Sequence, residues 1–233
     1  MYPHTLTTLL ITILVNFCFH PTVFAQQKPP KGGRVAVVVD ERLSALRSTP
    51  DLTGALIRRV ARGRLVAIRG SQTNSEGIVF YRIRVSSRTQ GWMLREAVVS
   101  VSQRDDDKRL LSLIRNSSDF DRIARARIFF EFFPRAALRP QVLLLFGEAA
   151  EEAAGRLTHD AVRRLGALDS TYYLNYTGLD RYNRQGIRFT FDRTTKQFHY
   201  DGAVWKELVR RYPRSPEAIK AAQRLGQQTT SVR

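Results

Sequence analysis

Phe80-Tyr81-Arg82-Ile83-Arg84-Val85, then Ser86-Ser87-Arg88-Thr89-Gln90, then Gly91-Trp92-Met93-Leu94, is the stretch whose reading decides the fold. Apolar and polar residues alternate from Phe80 on, which is the period of a half-buried strand. The polar run 86–90 makes a turn, and Gly91–Leu94 returns as a second strand, with Trp92 expected as the main anchor of a small core. Working upstream, Gly70–Gly77 is a polar loop, Leu65-Val66-Ala67-Ile68 a strand and Arg62-Gly63 the turn before it. Ala55–Val60 alternates loosely, Ser48-Thr49-Pro50-Asp51 punctuates the chain, Leu43–Leu46 is a short extended piece, and Val35–Val39 is a β-branched run ended by Asp40-Glu41. Downstream, Ala97-Val98-Val99 closes the module. Short strands separated by turn signals predict a small all-β barrel over 34–100.

The order Leu46-Arg47-Ser48-Thr49-Pro50, Arg62-Gly63-Arg64-Leu65-Val66, Phe80-Tyr81-Arg82-Ile83 and Gly91-Trp92-Met93 resembles a bacterial SH3-like domain. The family's run is Asn-Val-Arg-x-x-Pro, a Gly-x-x-Val turn, a Trp/Tyr-x-x-Val strand and a final Gly-Trp-Val. Ala45 stands where Asn is usual and Phe80-Tyr81 where Trp is common, which bears on ligand choice more than on fold. The resemblance implies a module that binds cell-wall peptides or other proteins outside the cytoplasm and is not an enzyme. Arg47, Tyr81 and Trp92 are the candidate residues of a ligand groove. Against that, Trp92 is expected in the core, and Tyr81 should point away from its neighbour Phe80.

After Ser100 the period lengthens to that of helices. Asp105-Asp106-Asp107 opens a short helix ended by Arg115, an order suited to the helix dipole. Ser118 is a candidate cap for Phe120–Phe133, with Ile123, Ala126, Phe130 and Phe133 on one stripe and Pro134 as the stop. Pro140 opens a helix over 141–157, and Thr158 is read as the cap of a separate short helix through Leu165, ended by Gly166. Phe133-Pro134-Arg135 precedes Gly147, and Tyr212-Pro213-Arg214 precedes Gly226, each Gly thirteen residues after its Pro. Trp205–Gly226 resembles a tetratricopeptide repeat of exported bacterial envelope-assembly proteins, with Ser215 as cap and Pro216 as first helical residue. Between the two copies, 170–202 is rich in aromatics: Ile187–Phe191, a turn at 192–196 and Gln197–Tyr200 read as a β-hairpin, and most of its rings as core.

These readings add up to a multidomain chain, all-β plus all-α. A signal peptide is expected at 1–25, a flexible linker at 26–33, an SH3-like barrel at 34–100 and a connecting segment at 101–117. A tetratricopeptide-like helical domain with a β-hairpin insertion follows at 118–226, and a disordered tail at 227–233. Residues 1–25 carry no Asp, Glu, Lys or Arg, hold an apolar run from Leu6 to Phe19 and end in Val23-Phe24-Ala25, the pattern of a cleaved export signal. An uncleaved anchor is the alternative. The single cysteine, Cys18, lies in this segment, so no disulfide or thiol chemistry is expected beyond it.

The net charge is +17, with Arg far outnumbering Lys, and it is spread over both halves. Such a surface attracts polyanions at low salt. Codon usage in a GC-rich genome also accounts for the Arg excess, and no nucleic-acid motif is present. His159 and His199 are isolated and make no metal set, and no cofactor loop or nucleophile arrangement appears. The expectation is therefore a non-enzymatic protein of the cell envelope, periplasmic or extracellular, with no integral span after signal cleavage. It would bind a wall peptide or an envelope protein, and nucleic acid is not expected as a partner. Two alternatives stand beside it. One is an accessory or cryptic wall hydrolase using Asp180, Asp192 and Asp201; the other is binding of anionic polymers through charge alone.

Overall fold

The computed structural model describes the backbone of residues 28–231 and the side chains of 28–227. The expected signal segment, its cleavage point and Cys18 lie outside the described residues. Strands β1 (Arg34–Val38), β2 (Ala45–Arg47), β3 (Leu56–Arg59), β4 (Leu65–Thr73), β5 (Val79–Arg84), β6 (Gln90–Leu94) and β7 (Val98–Val99) form one antiparallel sheet in the order β3-β2-β6-β5-β4-β1-β7. β3 and β7 are its two ends and do not pair, so the sheet is open where a closed barrel was expected.

Each strand divides its residues between two faces. One face carries Val38, Leu46, Val66, Ile68, Tyr81, Ile83, Met93 and Val98, which form a core made of this sheet and its connections alone. A single sheet buries one face without a second layer only by bending over it. Trp92 is not in that core: it is half-buried on the opposite face, and Met93, fully buried, takes the anchoring place. Gly91 sets this phase. A Cβ there would sit 2.5 Å from the Arg47 carbonyl oxygen and 2.9 Å from Leu46 Cγ, so only glycine fits where β6 crosses β2. With Gly91 turned inward, Met93 follows it and Trp92 faces out.

The chain continues as α1 (Asp106–Arg115), α2 (Asp119–Phe132), α3 (Arg139–Leu165), α4 (Ser170–Leu174), α5 (Asp180–Asn183), the hairpin β8 (Phe189–Asp192) and β9 (Gln197–Tyr200), α6 (Ala203–Arg211) and α7 (Pro216–Ser231). The expected break at Thr158 is absent, because α3 is one helix of 27 residues. Thr158 Oγ1 instead donates to the Ala154 carbonyl at 3.0 Å and accepts the Phe198 N–H at 2.8 Å, tying α3 to β9. Ser118 makes no capping hydrogen bond, whereas Ser215 Oγ accepts the Ala218 N–H at 3.1 Å as expected. The backbone of α7 runs through Gly226 to Ser231.

The two Pro-stopped helices end alike. Phe133 (φ −123°, ψ 54°) and Tyr212 (φ −130°, ψ 46°) each donate their N–H four residues back, and the proline follows. The second half of the echo diverges. Gly147 lies under the buried Trp205 indole, where a Cβ would fall 2.2 Å from Cη2, while a Cβ at Gly226 would meet nothing. Trp205 Nε1 donates to Glu151 Oε1 at 3.0 Å. The aromatic segment fills the core as expected: Tyr173 stacks on Phe191 at 5.0 Å, and Tyr182 meets Phe120 and Phe189 edge-on.

The helices do not have a core to themselves. Val37, Val39, Leu65 and Val99, on the outer face of the sheet, belong to the same buried cluster as Leu110, Ile114, Ile123, Phe129 and Trp205. Two arginines bind the seam. Arg125, in α2, donates from Nε to the Val39 carbonyl at 3.1 Å, from Nη2 to Asp40 Oδ2 at 2.9 Å and from Nη1 to Ser117 Oγ. Arg109, in α1, donates to the carbonyls of Val98 and Glu96 and pairs with buried Asp106, whose Oδ2 accepts the Ser100 N–H at 2.7 Å. The expectation of two independent cores is thereby corrected.

Burial raises the Asp40 carboxyl, but hydrogen bonds from Arg42 and the charge of Arg125 outweigh it and hold the group below its ordinary value. Its stabilisation is complete above that ordinary value, about 4, and is lost as the pH falls through the depressed folded value. Arg125→Met should cost about 3–5 kcal/mol in urea unfolding, because it strands a buried carboxylate, and the Asp40→Asn/Arg125→Met double variant should recover part of that loss. Below pH 4 the unfolding midpoint of the unaltered chain should fall more steeply than that of Asp40→Asn. On α3, Gly147→Ala should destabilise by about 1–3 kcal/mol through collision with Trp205. Exposed Gly155→Ala, which meets nothing, should stabilise by about 0.5–1 kcal/mol.

Candidate binding face

The strand register lines up five residues across the open part of the outer face. Leu56 on β3 lies opposite Arg47 on β2, Arg47 opposite Trp92 on β6, Trp92 opposite Arg82 on β5, and Arg82 opposite Gly70 on β4. Directly opposed residues share a face with Cβ atoms about 5 Å apart, so a half-exposed indole stands between two arginine positions. Leu56 is 54% exposed at one end. At the other, Gly70 has no side chain and a Cβ there would meet nothing within 4 Å, which leaves a notch beside Arg82. Arg84, opposite Gln90, adds a third arginine to the face, and its Nε is buried without a hydrogen-bond partner among the described residues.

Arg47 is held by donating from Nη1 to the Gly54 carbonyl at 2.8 Å, within the Ser48–Ala55 loop that Thr53 and Asp51 close through a 2.7 Å hydrogen bond. Among the described residues, the ion pairs of the β region run through Arg42, Arg62 and the seam, and none uses Arg47, Arg82 or Arg84. The face therefore presents guanidinium groups outside any ion pair of the described residues, although Asp51, in the loop beside Arg47, feels the charge of that arginine. Such a surface can hold a carboxylate with two parallel N–H donors and pack an apolar group on the indole.

Of the three residues singled out from the sequence, this arrangement brings together Arg47 and Trp92. Tyr81 lies opposite Met93, is 6% exposed and belongs to the interior of the sheet. Arg82 was missed as a candidate. The alternation from Phe80 already places it on the face opposite Tyr81 and Ile83, but its neighbours come from four strands whose register no local pattern reveals.

The carboxylates considered for hydrolysis have local duties. Asp192 accepts from the Thr195 hydroxyl at 2.7 Å and the Thr194 N–H at 2.8 Å, which hold it below the usual carboxylate range and so ionised, as a turn-former. Asp201 accepts the Ala203 N–H at the start of α6, and Asp180 is exposed at the start of α5. Among the described residues, no three His, Cys, Asp or Glu gather as a metal set, and no helix is long and apolar enough to cross a membrane. No protein-family model, no curated protein and no solved structure matches the chain.

The two faces make opposite predictions for stability. Tyr81→Ala should cost about 3–5 kcal/mol, as truncation of a buried ring does. Arg82→Gln should stay within about 0.5 kcal/mol, as exposed substitutions do. Chemical denaturation of the two variants side by side checks the assignment of faces.

Proposed function

We propose that the chain is an exported, non-enzymatic protein of the cell envelope that holds a carboxylate-bearing peptide on the Arg47–Trp92–Arg82 row. That peptide is a wall peptide or an acidic segment of an envelope protein. The single observation that carries this reading is the register that sets an indole between two arginines whose other cross-strand partners are Leu56 and Gly70, not carboxylates. The resemblance of 34–100 to bacterial SH3-like modules supports the same class of ligand. In this reading the helical half, with its two alike Pro-stopped helix ends and the likeness of Trp205–Gly226 to a tetratricopeptide repeat, is a tetratricopeptide-like platform for a second partner. Export rests on the charge-free apolar start of the chain and its Val23-Phe24-Ala25 ending.

The mechanism is recognition without bond-making. A carboxylate would accept paired N–H donors from Arg82 or Arg47, and an aliphatic or ring portion of the ligand would cover Trp92. Retention of the full chain on purified wall sacculi, and capture of envelope proteins from extract, tests this. Arg82→Gln and Arg47→Gln should each weaken binding about tenfold, equivalent to about 1.4 kcal/mol, and Trp92→Ala should do at least as much. Binding that collapses with added salt while ignoring Trp92→Ala would instead favour attraction of anionic polymers by charge alone. Absence of retention on sacculi together with absence of captured envelope proteins would overturn the reading.

A further inference from the structure

The last turn of α3, α4 and the 3-10 turn Thr177–Leu179 border an open cavity of about 480 Å³. Two tyrosines, one leucine, one arginine and three short polar side chains wall it: Tyr172, Tyr176, Leu165, Arg164, Thr171, Asn175 and Thr177. Its construction is specific. Asp169 caps α4 by accepting the Thr171 N–H and hydroxyl, at 2.8 and 2.7 Å, which fixes the turn that carries Tyr172. The Tyr176 ring lies flat against the chain because residue 178 is glycine; a Cβ there would fall 2.4 Å from Tyr176 Cε1. Tyr172 is 57% exposed, although Tyr173, its neighbour, is fully buried.

The free hydrogen-bonding capacity is of two kinds. Asn175 Nδ2 donates to the Thr171 carbonyl at 3.0 Å, which leaves Oδ1 to accept. Thr171 Oγ1 gives its proton to Asp169 and retains lone pairs, and the Thr177 hydroxyl can donate or accept. These are partners for hydroxyl and amide groups. Arg164 is exposed and takes part in no ion pair among the described residues, whereas the adjacent Arg163 pairs with Asp160 at 3.1 Å. Arg164 is thus a partner for one anionic group.

A purely apolar ligand would leave the amide, hydroxyls and guanidinium unanswered. A bare inorganic anion would use Arg164 and neglect the tyrosines. We infer that this cavity is a second binding site, separate from the sheet row, for a sugar acid. Its ring rests on exposed Tyr172 against a floor of Leu165 and the largely buried Tyr176, its hydroxyl or acetamido groups bond Asn175, Thr171 and Thr177, and its carboxylate meets Arg164. The volume accommodates one or two pyranose rings, and the mixed aromatic and polar lining is that of small-molecule pockets in general.

Titration of the full chain by calorimetry and ligand-observed NMR, using N-acetylmuramic acid, N-acetylglucosamine and benzoate as probes, tests the site. N-acetylmuramic acid should bind, with saturation transfer concentrated on its ring protons. N-acetylglucosamine, which lacks the carboxylate, should bind at least tenfold more weakly. Tyr172→Ala and Arg164→Gln, both at exposed positions that leave the fold intact, should each reduce the affinity tenfold or more, and Arg163→Gln should not change it. Equal affinity for the neutral sugar, tighter binding of benzoate than of the sugar acid, insensitivity to both variants, or no binding would each overturn the inference. Because the sheet row also takes carboxylates, the same titrations on Arg82→Gln separate the two sites: binding lost there but kept in Tyr172→Ala and Arg164→Gln belongs to the row and overturns the inference, whereas loss of peptide binding on the row leaves it standing.

Discussion

A buried guanidinium fixes the relation between the two halves of this protein. Arg125 enters from α2 and meets the end of β1 with three hydrogen-bond donors: one to backbone, one to a carboxylate and one to a hydroxyl. Desolvating two charges costs several kcal/mol per ion before any attraction is counted. The arrangement is tolerable because those donors are satisfied and Asp40 also accepts from Arg42. The contribution of the pair is therefore to geometry more than to net stability. A helix that slid or rotated on the sheet would leave an uncompensated charge in the interior, so one docking is selected from the many that apolar packing alone would allow.

That docking decides which part of the sheet is open. Val37, Leu65 and Val99 spend the outer face of β1, β4 and β7 on the helices. The same face continues across β5, β6, β2 and β3, where Phe80 is also buried but the Arg82, Trp92 and Arg47 row is left at least partly exposed. The interior of the sheet is filled by Tyr81, Ile83, Met93 and Leu46, so nothing from the helices is needed to hold the row in register. Support for the backbone and display of the side chains come from opposite faces of the same strands, the usual economy of a half-buried sheet.

Features set by neighbours in the chain were legible in the sequence. The hairpin at 189–200, the Ser215–Pro216 helix start and the two Pro-stopped helices follow from turn and cap chemistry within a few residues. The continuity of α3 through Thr158 was not legible, because the threonine is diverted by β9, forty residues away. Trp92 was misplaced for a related reason. The Gly-Trp pair announces a strand, but which of its residues turns inward is decided by the clearance between Gly91 and Arg47 on another strand. The row itself required the register of four strand pairs. The cavity by α4 depends on Tyr172 and Tyr173 pointing opposite ways, which a run of aromatics does not disclose.

The common cluster beneath the seam has a mechanical consequence. If the sheet row and the α4 cavity are each occupied, the distance between their ligands is set by packed side chains and not by a slack linker. A flexible tether lets two sites search a range of separations and lowers the local concentration each sees of the other's target. A stiff span does the reverse. It rewards only those targets whose own spacing matches, so this molecule would act as a gauge of its surroundings, engaging strongly where peptide and sugar acid lie at one separation and weakly wherever they are displaced.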